Sequence, residues 1–117
     1  MDEQDYVVTA VRSYSSGIVG RSLNTARDQH FVIDSPTIGE ALGSGEAFLA
    51  GVSSCGVTLV EGAAKTMGVP IQRMEVSIEG RRERANPTSF ARIDLHFTLV
   101  GPSQEEAESV VQRYKDG

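Results

Sequence analysis

The chain has 117 residues, enough for one ordinary hydrophobic core and too few for two, so a single domain over 1–117 is expected. Its net charge of −5, with no lysine-rich stretch, argues against nucleic acid as a partner. Only 39% of the residues are hydrophobic, a lean supply for a self-sufficient core, and a homo-oligomer that shares burial between copies is expected.

Residues 6–14 are rich in Val, Thr and Tyr and predict a strand. Ser15-Ser16-Gly17 reads as a turn, and residues 18–23 and 30–34 as further strands that end at Ser35-Pro36. Gly39, Gly43 and Gly45 mark 37–45 as a mobile loop or a short irregular helix. Residues 46–67 form the longest periodic segment. Phe48, Val52, Cys55, Leu59, Ala63 and Met67 fall on one helical face, and this face is the expected buried one. Gly68 and Pro70 end the helix. Its internal glycines, Gly51, Gly56 and Gly62, predict close approach of another backbone. Two clean alternations follow, Met74-Val76-Ile78 and Ala91-Ile93-Leu95-Phe97-Leu99, joined by the polar hairpin loop 80–87. After Gly101-Pro102, Ser103 and Glu106 have the spacing of a capping box, opening a helix with Ala107, Val110, Val111 and Tyr114 on one face. The order predicts an α+β domain, antiparallel strands with a long central helix.

No uninterrupted apolar run approaches the ~20 residues of a membrane span, so no membrane partner is expected. The acidic start Met1-Asp2-Glu3-Gln4-Asp5 does not read as a signal peptide. A single cysteine makes no internal disulfide, and the expected compartment is the cytoplasm. His30 and His96 lack metal-ligand spacing with Cys55, so neither a metal nor a cofactor is expected. Arg81-Arg82-Glu83-Arg84 reads as a solvated hairpin tip.

Cys55 lies mid-helix among small residues, Ser53-Ser54 before it and Gly56 after it. By composition alone, a lone cysteine on an apolar helix face is a packed small hydrophobe. Arg27, in a segment otherwise fit for a sheet interior, and Glu46, opening the helix, supply the cation and the carboxylate that could make and use a thiolate.

The order Arg27…Asp34-Ser35-Pro36…Glu46…Ser54-Cys55, followed by the helix exit Ala63 to Pro70, resembles the OsmC/Ohr family of osmotically inducible and organic hydroperoxide resistance proteins. The resemblance implies an intertwined homodimer with its active sites at the interface. It also implies a peroxidatic Cys55 whose thiolate reduces small organic hydroperoxides, with Arg27 favouring the thiolate and Glu46 holding the guanidinium. Arg21 and Glu40 are the alternative arginine and glutamate. The family's usual second cysteine, in a Cys-Pro-Val-like segment after the last helix, has no counterpart before Gly117. The chain therefore reads as a one-cysteine or C-terminally truncated member that draws on an external thiol reductant. The competing reading is a non-catalytic dimeric domain that binds a ligand or partner and buries Cys55 as a structural residue.

Overall fold

The computed structural model describes residues 5–117; the first four residues of the acidic start lie outside them. The chain forms two compact units, one ending at Ala47 and one spanning Phe48–Gly117.

The first unit is a three-stranded antiparallel sheet in the order β1 (Arg12–Ser15), β2 (Arg21–Ala26), β3 (Gln29–Asp34). Tyr14 pairs with Leu23 and Leu23 with Val32, so one apolar row crosses the sheet. The predicted strand 6–14 is realised only from Arg12 onward. Its register explains why: Arg12 pairs with Thr25, so β2 has one residue left, Ala26, before the chain turns at Arg27-Asp28. Residues 6–10 have nothing in this sheet to pair with. The predicted strand 18–23 also starts later, at Arg21, because Gly20 at φ 94° turns the chain into β2. A Cβ at Gly20 would sit 2.7 Å from the Ser35 hydroxyl, so glycine is required twice over there. The connection after β3 is irregular and fastened to β3, with the Asp34 amide donating to the Leu42 carbonyl at 3.0 Å. Of the two expectations for 37–45, the short irregular helix is not realised, since the first helix begins at Ser44.

The helix α1 (Ser44–Met67) begins at the end of the first unit and runs into the second. The second unit continues with the antiparallel pair β4 (Arg73–Arg81) and β5 (Arg92–Val100), then α2 (Gln104–Lys115). Met74 pairs with Leu99, Val76 with Phe97 and Ile78 with Leu95, which places the apolar residues of both strands on one face. Val60 and Ala64 of α1 and Val110 of α2 form the buried core against Phe97, Leu99, Met74 and Tyr114. α2 carries the expected capping box: the Ser103 amide donates to Glu106 Oε1 at 2.9 Å, and the Glu106 amide donates to Ser103 Oγ at 3.1 Å.

The buried face of α1 is not the expected one. Gly56, Val60 and Ala64 pack inward, while Phe48 is 54% and Leu59 57% exposed. The helix carries two apolar stripes, and the one with Gly56, Val60 and Ala64 faces the core. A Cβ at Gly56 would meet the Phe97 ring at 3.4 Å, an ordinary contact, so the ring lies directly over this stripe. The bulkier stripe, Phe48, Cys55 and Leu59, is left outside. By length and composition only, α1 is also long and apolar enough to cross a membrane, a test that core helices of soluble proteins pass as well. This corrects the reading from uninterrupted apolar runs, because glycine, serine and threonine hardly lower the mean hydropathy.

Phe90 folds back over Gly80 of β4 and stacks on Phe48, with ring centroids 5.9 Å apart. A Cβ at Gly80 would collide with the Phe90 ring. Gly80→Ala is expected to lower stability by about 1–3 kcal/mol through this overpacking. Urea denaturation of the two proteins measures it, and an unchanged midpoint would show that the 82–91 loop relaxes at no cost.

Candidate functional site

Cys55 lies in the middle of α1, and its side chain is exposed. Helical spacing puts it two turns after Phe48 and one turn before Leu59 on the same stripe. Thr58 Oγ1 lies 3.4 Å from the Cys55 carbonyl and 3.3 Å from that of Ser54, so this hydroxyl is turned to the backbone. The thiol thus stands in an open apolar strip, outside the core in which a structural cysteine would pack.

Glu46 sits in the first turn of α1. Its Oε1 accepts the Gly43 amide at 2.8 Å, while the Gly43 carbonyl accepts the Ala47 amide at 3.0 Å. The carboxylate therefore reaches back to cap its own helix, where negative charge also suits the macrodipole. Arg27 occupies the β2–β3 turn at φ 53° and is exposed. Among the described residues no hydrogen bond or ion pair joins Arg27 to Glu46 or to any other group. Its place at a turn, rather than within a strand, is why its charge needs no buried partner.

The alternatives Arg21 and Glu40 are brought together. Arg21 Nε donates to Asp34 Oδ1 at 2.7 Å and an Nη donates to Asp34 Oδ2 at 2.8 Å, a bidentate fork. The same Nη donates to Glu40 Oε1 at 2.9 Å. Asp34 pairs with Arg21 in the β2–β3 register, and its side chain is 0% exposed. Asp34 Oδ2 also accepts the amides of Glu40 at 3.1 Å and Ala41 at 2.8 Å. The Arg21 hydrogen bonds hold the Asp34 carboxyl well below the usual carboxylate range, helped by the two amides against the cost of burial. The bonds to Asp34 and then Glu40 raise Arg21 above its ordinary value. With two carboxylates on one guanidinium, Arg21 is committed to fastening the 35–43 connection to the sheet. Sequence reading used Asp34 only as part of a motif; a buried acid beside a proline turn, with an arginine thirteen residues upstream, was the available signal.

The sequence profile of the OsmC-like protein family matches residues 38–117, more than half of the chain. The chain belongs to the OsmC-like family. Its matched part includes Glu40, Glu46 and Cys55, whereas Arg21, Arg27 and Asp34 precede it. The fold is similar to that of an OsmC-like protein from Mycoplasma pneumoniae, with a TM-score of 0.83 and 16% identity over 94% of this chain and 82% of that one. It is also similar to an organic hydroperoxide resistance protein OsmC from Legionella pneumophila (TM-score 0.74, 18% identity, 94% and 83% covered). A third similar structure is an organic hydroperoxide resistance protein from Elizabethkingia anophelis (TM-score 0.71, 14% identity, 95% and 83% covered). At these identities the likeness establishes the OsmC-like α+β fold. No curated protein matches by sequence.

Proposed function

We propose that this OsmC-like protein is a cytoplasmic, homodimeric, thiol-dependent peroxidase that reduces small organic hydroperoxides at Cys55. The observation that carries the reading is the exposed thiol centred in an exposed apolar strip between Phe48 and Leu59. Hydrocarbon beside the sulfur favours a peroxide with an organic body over hydrogen peroxide. The names of the similar Legionella and Elizabethkingia proteins support the same substrate class.

The Cys55 thiolate attacks the distal peroxide oxygen. The S–O bond forms, the O–O bond breaks, and the alkoxide leaves and takes a proton to become the alcohol. Cys55 is then a sulfenic acid. Two equivalents of an external thiol reduce it, giving back the Cys55 thiol, water and the disulfide of the reductant. The reading draws on an external thiol, since the one cysteine of this sequence is the one that is oxidised.

Arg27 is the uncommitted cation proposed to favour the thiolate, since Arg21 is already occupied by two carboxylates. Glu46 is the carboxylate proposed to hold that guanidinium. Glu46 and Cys55 share α1 at a separation of nine residues, which is about 900° of rotation and ~13.5 Å of rise. They face opposite sides of one helix, so a site that uses both draws Glu46 from the second copy. The exposed stripe of α1 gives such a dimer its apolar surface.

Mixing two inactive variants, Glu46→Gln and Cys55→Ser, tests this assembly. Each heterodimer then holds one site with an intact Cys55 and the partner's intact Glu46, and peroxide reduction is expected to recover toward one quarter of the wild-type level at equal mixing, about half the molecules being heterodimers with one good site of two. No recovery, with heterodimers seen by native mass spectrometry, would show that Glu46 acts within its own chain or not at all.

A further inference from the structure

We infer that Phe90 is a specificity-determining residue of the Cys55 site: with Phe48 it forms an aromatic subsite that takes the ring of an aryl hydroperoxide. The inference rests on the peroxidase reading above and names the body of its substrate.

The first observation is direction. Side chains on a helix lean toward its N-terminus, so the Cys55 sulfur lies over the preceding turn of α1. The body of a peroxide held at that sulfur is led toward the half-buried Val52 and the exposed Phe48. Leu59 stands one turn behind the thiol. Phe48 precedes Cys55 by seven residues, which is about 20° short of two full turns and ~10.5 Å of rise. The two side chains therefore stand on one line of the helix surface.

The second observation is what stands at the end of that line. The Phe90 ring stacks on Phe48, with centroids 5.9 Å and planes 19° apart. Phe90 comes from the loop between β4 and β5, and three neighbours fix it. These are Phe48, Gly80 of β4, which leaves the ring the space a Cβ would take, and Arg82, whose guanidinium lies 4.5 Å from the ring centroid. Residues 81–89 are exposed whereas Phe90 is half-buried, so the loop turns this one ring inward. Filling the notch at Gly80 accounts for Phe90, but not for its stacking partner Phe48 standing half in solvent. A fixed aromatic pair with one ring still open is a preformed surface for a third ring, met edge to face or offset. An aryl group on the peroxide-bearing carbon spans most of the interval from the sulfur to Phe48. A tert-butyl group stops short of it.

The test uses the full chain, reduced, and reads the rate of Cys55 oxidation by cumene hydroperoxide against tert-butyl hydroperoxide. The ratio of the two rates is compared with that of free cysteine, which removes the intrinsic difference between the peroxides. The wild-type ratio is expected to exceed the free-cysteine ratio by about fivefold or more. Phe90→Ala is expected to bring it down to the free-cysteine value, and Phe90→Tyr, which keeps a ring, to retain it. Alkylation by iodoacetamide, a reagent with no body to place, is expected to change by less than about twofold, so that the effect is on selection and not on the thiol. Phe90→Ala opens a void beside Gly80, so Phe48→Ala, on the exposed side of the pair, is read for the same ratio, and melting shows that the variants are folded. An unchanged ratio in the folded alanine variants, or a wild-type ratio no higher than that of free cysteine, would overturn the subsite and leave the peroxidase standing. Wild-type oxidation by both peroxides no faster than that of free cysteine would overturn both.

Discussion

Cys55→Ser is expected to lose organic hydroperoxide reduction to the background rate, a fall of the order of a thousand-fold or more. Serine keeps the size of the side chain and removes only the sulfur chemistry, because a hydroxyl does not ionise near neutral pH and does not form a sulfenate. Cys55 is exposed and packs into no core, so the variant is expected to fold and melt like the parent. A coupled assay with excess external thiol and cumene hydroperoxide reads the loss, and circular dichroism confirms the fold. Residual turnover near the parent level would move the chemistry away from this thiol and favour the non-catalytic reading.

Asp34→Ala is expected to cause the largest stability loss of any single substitution in the first unit. The carboxylate is buried, accepts two bonds from Arg21 and holds the amides of Glu40 and Ala41. Its removal leaves a half-buried guanidinium and two amides without their acceptor, and these costs compound. A fall in melting temperature of about 10 °C or more is expected. The pH dependence follows from the sign of the shift. The folded carboxyl lies below its unfolded range of ~3.9, so its contribution is fully present above that value and is lost as pH falls through the folded value. Between pH 5 and 8 the parent is therefore expected to hold a constant advantage over the variant, and below pH 4 that advantage shrinks. An advantage that grows on acidification would contradict the ion pair. The loss is also expected to loosen the connection between β3 and α1, which includes the Gly43 amide that Glu46 caps.

The elements that sequence reading recovers best are those whose pattern is answered within the subunit. The alternation of β4 and β5 finds its register in paired apolar residues, and the capping box at Ser103 forms as spaced. The readings that changed are those whose residues find no counterpart in their own unit. Residues 6–10 are strand-like by composition, yet no strand remains beside them once β2 turns at Arg27-Asp28. The bulky stripe of α1 looks like the core-facing side by period and size, yet the core accepts the stripe with Gly56, Val60 and Ala64. Periodicity identifies apolar faces and does not rank two of them on one helix. The candidate site was legible in part. Cys55 and Glu46 were found on the predicted helix, whereas pairing of Arg21 with Asp34 depends on strand register, which spacing alone does not fix. Arg27 was read as a strand residue, and its turn conformation at φ 53° appears only in the folded chain.

Cys55 is proposed as a peroxidatic thiol selective for organic hydroperoxides. Its most direct test is the second-order rate of Cys55 oxidation in the reduced protein, followed by rapid quench and intact mass, with cumene hydroperoxide and with hydrogen peroxide. A sulfenic acid is expected on Cys55, formed at least tenfold faster by the organic peroxide than by hydrogen peroxide, with the parent mass restored by added thiol. Oxidation by both peroxides at the same slow rate as free cysteine would rule out that role for Cys55.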